Sequence, residues 1–257
     1  MPFDPAATAR FIADAHRTRA PFLNLPEDVA PRTIDEAYAA QEALRALWTP
    51  LYGEVGGLKI ATTTKVMQAL MGIDHPCGGV IYSKRIHTSP ATIVLADHMH
   101  VVMECELAVR VSRTFEPRST PYTREDVRAA VAEVMPAFEL IEDRNADYKN
   151  SKAITMICDN AWNAGIVLGA PVKVPASIEL NGLAGNLATG SGKHSGKTDD
   201  PMGALAWVVN LAASRGKPLA AGQVVITGSL IPTLPIARGE TFDFEIEGIG
   251  AVRATGA

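Results

Sequence analysis

From about residue 56 onward the chain breaks into short apolar runs separated by turns, a texture that restricts it to folds with a β core. Runs at 57–61, 92–95, 101–112, 134–142, 164–168, 177–183, 223–227 and 241–247 predict strands, and 63–71, 123–131 and 200–215 predict helices. In the last helix Leu205, Val208, Val209 and Ala212 recur at helical spacing and form a core face. Helices fall between strands at irregular intervals, which favours an α+β arrangement over regular βαβ winding. The start of the chain differs. Asp4-Pro5 supplies a cap and a first-turn proline, and Phe11, Ile12 and Ala15 share a face. Thr33-Ile34-Asp35-Glu36 is a capping box opening a second helix through Tyr38, Leu44 and Leu47, with Pro50 as its end. The division that follows is an N-terminal helical segment, residues 1–55, and a β-rich body, residues 56–257.

Apolar residues make up 47% of the chain and charged residues 20%, enough for a large core without disulfide staples. The net charge of −4 argues against general nucleic-acid binding, which needs a basic face to displace counterions, and leaves a small anionic substrate open. Three scattered cysteines, Cys77, Cys105 and Cys158, fit a reducing compartment better than a disulfide framework. The N-terminus lacks the basic-then-apolar pattern of a signal peptide. The longest uncharged run, Pro218 to Ala237, is interrupted by Gly222, Gly228, Pro232 and Pro235 and predicts two buried strands rather than a membrane span. The expectation is a cytoplasmic protein with neither nucleic acid nor membrane as partner.

The segment Val101 to Arg110 carries the most chemistry. In a strand alternate residues face one way, so Glu104 and Glu106 project from one face while Met103, Cys105 and Leu107 take the other. Two carboxylates about 4 Å apart repel by roughly 4 kcal/mol at an effective dielectric of 20. A divalent cation removes that penalty, and an all-oxygen set suits Mg²⁺ or Mn²⁺. Taken alone, the pair reads more simply as a solvated strand face. Glu139, embedded in the apolar run Pro136-Ala-Phe-Glu-Leu-Ile141, changes the balance, because a buried carboxylate needs a partner or neutralises; it is a natural third ligand. Glu142 and Asp143 sit near the strand end, where simple exposure suffices. Lys59, in Gly56-Gly-Leu-Lys-Ile60, is either a snorkelling edge lysine or a group that binds a substrate carboxylate or moves protons.

Other patterns fail on inspection. Gly192 to Thr198 looks like a phosphate loop, but the spacing requires glycine where Ser191 stands, and Asp199-Asp200 puts acids where a phosphate-binding helix begins. No Gly-x-Ser-x-Gly elbow exists. His98-Met-His100 with Glu104 imitates a cupin metal half-site, but its flanks are wrong, and two exposed histidines in a turn are the simpler expectation.

Lys59 in GLKI, VMQALMGIDHP (66–76), ECE (104–106), PAFELIEDR (136–144), Asp159-Asn160-Ala161, PMGALAWVVN (201–210) and LAAGQVVITGS (219–229) occur in one order. In that order the chain resembles the 2-keto-4-pentenoate hydratases and related 4-oxalocrotonate decarboxylases of the fumarylacetoacetate hydrolase superfamily, over roughly 35–253. The resemblance implies a mixed β-roll or barrel core with peripheral helices. It implies Mg²⁺ or Mn²⁺ held by Glu104, Glu106 and Glu139, and a 2-oxo acid chelated to that metal. Lys59 matches the family's active-site lysine, and the Gly228-Ser229 turn would help seat the substrate carboxylate. Arg144, Asn160 and Trp162, within matched or adjoining segments, are further candidates for substrate binding. It also implies a homo-oligomer, and such hydratases and decarboxylases pair with a partner enzyme.

Departures from that pattern bear on the reaction. Many hydratases carry an acidic residue after His75-Pro76, which the related decarboxylases lack; here Cys77 stands there, a candidate catalytic thiol but a poorer base. Trp162-Asn163 replaces the usual small serines and would shrink or reshape the pocket. No histidine lies between His16 and His75, so the His–Glu dyad of the superfamily's C–C hydrolases is not evident. The leading expectation is a metal-dependent lyase hydrating a 2-hydroxyalka-2,4-dienoate to a 4-hydroxy-2-oxoalkanoate in the catabolism of aromatic compounds. Behind it stand a 4-oxalocrotonate-type decarboxylase, an acylpyruvate-type hydrolase and a non-catalytic subunit that binds a 2-oxo acid.

Overall fold

The computed structural model describes residues 2–175 and 177–257. Two helices open the chain, α1 (Pro5–Arg17) and α2 (Ile34–Tyr52). Each starts on a side-chain cap, Asp4 accepting from the Ala6 amide and Thr33 from the Glu36 amide. Next come β1 (Val55–Ala61), α3 (Lys65–Met71), β2 (Cys77–Tyr82), β3 (Ile86–Thr88), β4 (Ala91–Ile93) and β5 (Val101–Val111). After α4 (Arg124–Arg128), β6 (Val131–Glu142), α5 (Ala153–Cys158) and β7 (Asn163–Leu168) follow. A hairpin of β8 (Ala184–Thr189) and β9 (Gly192–Lys197) precedes α6 (Pro201–Ser214). The chain closes with β10 (Val224–Pro235), β11 (Thr241–Ile246) and β12 (Gly250–Gly256).

The strands form two mixed sheets, one ordered β2-β1-β10-β5-β6-β7-β3 and one ordered β4-β12-β11-β8-β9. This is the α+β architecture expected from the sequence. The odd residues of β5 (Met103, Cys105 and Leu107) join Phe138 and Leu140 in a core shared with Phe242 and Phe244 of the second sheet. On the opposite face Val102 and Ile141 belong to a separate apolar cluster with α1, α2, α5, Cys77 and Trp162. Residues 1–55 therefore bury their apolar faces against the first sheet and α5. The even residues Glu104 and Glu106 lie on this helical side, between strand and helix layers.

Several expectations are corrected. Pro50 does not end α2, which continues to Tyr52 and stops at Gly53 with φ 84°. A proline this close to the end costs one bond, to the Ala46 carbonyl, and only one turn remains to be disturbed. Residues 177–183 do not form a strand; the pairing begins at Ala184, and the polar run Gly192–Lys197 is β9. Residues 123–131 are a short helix that gives way to β6 at Val131. The uncharged run around Gly228 is one long strand, β10, with register shifts, rather than two. His98 and His100 are not free in a turn: their rings bond Glu142 at 3.1 Å and Asp143 at 2.6 Å, and both acids are buried rather than exposed. Three donors on Glu142 overcome its burial and hold that carboxyl down at about 2. No helix among the described residues is long and apolar enough to cross a membrane.

Candidate active site

Five neighbouring strands each deliver a side chain or amide to one place. Glu104 and Glu139 sit directly opposite each other in the β5–β6 ladder, and Glu106 follows two residues along β5. One ligand atom from each lies within 4.8 Å of the others. Lys59 of β1 reaches in from beyond β10, placing Nζ 2.7 Å from Glu139 Oε1 and 3.1 Å from the Ala161 carbonyl. In a flat sheet the three intervening spacings would separate the Lys59 and Glu139 backbones by about 14 Å, a gap that side chains standing perpendicular to the sheet do not close. The contact therefore requires a coiled sheet. The register shifts of β10 against β5, between Ile226, Ser229, Ile231 and Leu234, supply that bend.

Each carboxylate is oriented by its own donor. The Gly228 amide donates to Glu106 Oε2 at 2.7 Å, Thr233 Oγ1 to Glu104 Oε1 at 2.6 Å, and Asn163 Nδ2 to Glu139 Oε1 at 2.9 Å. Two oxygens are left over: Glu106 Oε1 and Glu139 Oε2 are buried without a hydrogen-bond partner. An ionised oxygen so placed is costly unless a cation meets it. An all-oxygen set with buried, unpartnered lone pairs is a chemical fit for Mg²⁺ or Mn²⁺. Burial, followed by repulsion from Glu139 and Glu104, pushes the Glu106 carboxyl well above its ordinary range. Burial works against the Lys59 charge, but Glu139, Glu104 and Glu106 outweigh it and hold the ammonium protonated.

The stretch from Asn160 to Trp162 turns through three successive left-handed residues, with φ of 50°, 47° and 59°. Asn160 anchors this strained turn by bonding both the amide and the carbonyl of Val80 in β2. A Cβ at Gly79 would lie 2.6 Å from the Asn160 carbonyl, so only glycine admits so close an approach. The turn then presents the Ala161 carbonyl to Lys59, the Trp162 ring to Phe22 and Tyr148, and the Asn163 amide to Glu139. Burial together with Asp143 and Glu104 keeps the Tyr148 phenol protonated, and its hydroxyl donates to Asp143.

The remaining sequence candidates are engaged within the protein. Asn160 spends both ends of its amide on Val80, and Gly228 serves Glu106. The Ser229 hydroxyl donates to the Ile231 carbonyl at 2.6 Å. Arg144 is buried, with its guanidinium on Asp159 and the Ala20 carbonyl, and Asp159 also takes His16 at 2.6 Å. Arg144 thus ties α1 and the segment after it to the end of β6. Cys77 is fully buried, 3.5 Å from Thr62 Oγ1, and burial raises its thiol pKa despite Thr62 and Lys59. Sequence reasoning passed over the orienting groups Asn163, Thr233 and the Gly228 amide's role. Asn163 was visible as a departure beside Trp162; a threonine in a strand carries no such signal.

The sequence pattern of the fumarylacetoacetate hydrolase C-terminal family matches residues 66–255, and the chain belongs to that family. More particularly, it is 32% identical over 242 residues to 2-hydroxyhexa-2,4-dienoate hydratase of Comamonas testosteroni, across 91% of this chain and 89% of that one. It is 29% identical over 253 residues to 2-keto-4-pentenoate hydratase of Paraburkholderia xenovorans (strain LB400), across 95% and 92% of the two chains. Among solved structures, 4-oxalocrotonate decarboxylase from Pseudomonas putida G7, complexed with magnesium and adipate, superposes with a TM-score of 0.89 at 23% identity. That likeness covers 98% of this chain and 97% of the other, and is one of fold.

Proposed function

We propose that the protein is a divalent-metal-dependent carbon–oxygen lyase that hydrates a small 2-hydroxyalka-2,4-dienoate to a 4-hydroxy-2-oxoalkanoate in the breakdown of aromatic compounds. The observation that carries this reading is the pair of unpartnered buried oxygens, Glu106 Oε1 and Glu139 Oε2, inside a three-carboxylate cluster. The hydratase relatives support the reaction class. Glu104, Glu106 and Glu139 would hold Mg²⁺ or Mn²⁺, which supplies Lewis acidity toward a chelating 2-oxo carboxylate.

The chain's own residues have distinct tasks. Lys59 donates N–H groups to Glu139 and to the Ala161 carbonyl, leaving one N–H uncommitted among the described residues. As a fixed cation in a low-dielectric site it stabilises negative charge on a substrate oxygen. The Gly228 amide, Thr233 and Asn163 hold the carboxylates in place without reorganisation during turnover. Trp162, backed by Phe22 and Tyr148, walls the distal side and favours a short substrate tail. The reading extends to a cytoplasmic homo-oligomer: all three cysteines are free thiols, as suits a reducing compartment.

Cys77 favours a second reading. Its buried thiol stays protonated at neutral pH and does not serve as a base, so proton traffic at the distal carbon differs from that of hydratases carrying an acid. A decarboxylase of 4-oxalocrotonate type makes no such demand. The experiment follows dienoate absorbance with Mg²⁺, alongside CO₂ release from a dicarboxylate analogue. Hydration predicts chromophore loss without CO₂, abolished in Glu106→Ala. Equal rates in EDTA-treated and Mn²⁺-loaded protein overturn the metal-dependent reading.

A further inference from the structure

A cavity of about 570 Å³ lies between α1, α2 and the start of β7, and none of the three clustered glutamates lines it. Its size is typical of a small-molecule site. Trp48, Tyr52 and Tyr82 form one aromatic wall, with Tyr52 and Tyr82 centroids 5.8 Å apart. Arg85 stacks on it, its guanidinium carbon 4.3 Å from the Tyr52 ring centre. Among the described residues no carboxylate pairs with Arg85. Of its five arginines, Arg10 pairs with Asp4, Arg17 with Asp14, Arg144 with Asp159 and Arg19 with the Ala96 and His98 carbonyls. Glu142 is taken by His98 and the backbone, so among the described residues Arg85 is the lining arginine left without an acceptor. A second observation comes from Arg144, which also lines the cavity and is buried: its Nε–H has no partner. A buried guanidinium N–H left unpaired is destabilising until an acceptor arrives.

The geometry points to a second binding site here, for a planar aromatic carboxylate. The ring of such a ligand stacks with Tyr52 and Trp48, and its carboxylate meets Arg85, whose flat fork suits bidentate pairing. The site is distinct from the metal cluster but adjoins it through Asn163, which lines the cavity and donates to Glu139. Its test must therefore separate the two.

The probe is benzoate, titrated calorimetrically into EDTA-treated full-length protein, where no metal is left for it to chelate. Expected are one binding event per chain, at least a tenfold loss of affinity in Arg85→Gln and in Tyr52→Leu, and at least tenfold weaker binding of acetate, which lacks the ring. Thermal melts of both variants confirm folding, and binding retained in Glu106→Gln separates this site from the cluster. Three results overturn the proposal: no heat with wild type, equal affinity in the folded Arg85→Gln variant, or acetate binding as well as benzoate. A fourth is an oligomer that leaves wild type unable to bind benzoate and that Leu51→Asp dissociates, showing that a second copy covers the cavity.

Discussion

Lys59 Nζ and Glu139 Oε1 meet at 2.7 Å with both side chains almost wholly buried, which ties β1 to β6 across the two strands between them, β10 and β5. Removing one partner of such a pair strands the other charge in a low dielectric, at a cost of about 3–5 kcal/mol. Lys59→Met is expected to lower the unfolding free energy of the metal-free protein by an amount of that order, read as a lower urea midpoint, and to abolish turnover. Lys59→Met combined with Glu139→Gln is expected to regain much of the stability and none of the activity. A double variant no more stable than Lys59→Met would show that the pair is not a coupled unit.

On the proposed ligand set, the unpartnered oxygens of Glu106 and Glu139 would make metal binding a stability effect as well as a catalytic one. Ligand at a hundredfold excess over its Kd stabilises by about 2.7 kcal/mol. Mn²⁺ is expected to raise the melting temperature of the wild type and leave Glu106→Gln nearly unmoved. In the absence of metal the order reverses: Glu106→Gln melts above wild type, because it deletes one of three crowded carboxylates. Calorimetric scans with and without EDTA read both.

The glutamate cluster was legible because strand alternation puts Glu104 and Glu106 on one face and because Glu139 interrupts an apolar run. Nothing in the sequence states that Lys59 reaches Glu139, since that depends on sheet coiling produced by β10's irregular register. Glu142 and Asp143 were misread for a related reason. At a strand end, burial is decided by what packs on top, here the 98–100 segment, with His98 and His100 supplying the donors. The hairpin β8–β9 escaped notice because Gly192-Lys-His-Ser-Gly-Lys197 has poor intrinsic strand character, and pairing with β8 alone makes it a strand.

Glu142 sets an acid limit on stability. Its folded-state pKa of about 2 lies below the ordinary 4.5, so the unfolded chain binds more protons between those values. Its contribution is therefore complete above about pH 4.5 and is lost as pH falls toward 2. Glu142→Gln is expected to lower stability at pH 7 and to flatten the decline between pH 4.5 and 2, read by urea unfolding at several pH values. Parallel pH profiles for wild type and variant would assign the acid limb elsewhere.

Trp162 is expected to set substrate length. It is buried against Phe22 and Tyr148 at centroid distances of 4.9 and 5.3 Å. Trp162→Phe keeps most of that wall, whereas Trp162→Ser opens it at a stability cost of a few kcal/mol, as for other buried large-to-small changes. Kinetics across dienoates of increasing tail length should show KM for the longer members falling in Trp162→Ser and unchanged in Trp162→Phe. If the preference for short tails survives in a folded Trp162→Ser, the wall lies elsewhere.

Asn163 acts on the cluster through Glu139. Its amide shares Oε1 with Lys59, which leaves Oε2 as the oxygen available to a cation. Partners that orient metal ligands are worth about 10–100-fold in metal affinity. Asn163→Ala is accordingly expected to weaken Mn²⁺ binding within that range, measured by calorimetry, while the protein stays folded because Lys59 still neutralises Glu139. Asn163→Asp should weaken it differently: a fourth carboxylate repels Glu139, competes for Lys59 and turns the bond from donor to like charge, so the metal-free protein loses stability. Added Mn²⁺ should recover more of that loss in Asn163→Asp than in Asn163→Ala, since extra negative charge strengthens attraction to the cation even as it spoils the geometry. Unchanged Mn²⁺ affinity in Asn163→Ala would mean that Lys59 alone fixes the Glu139 carboxylate.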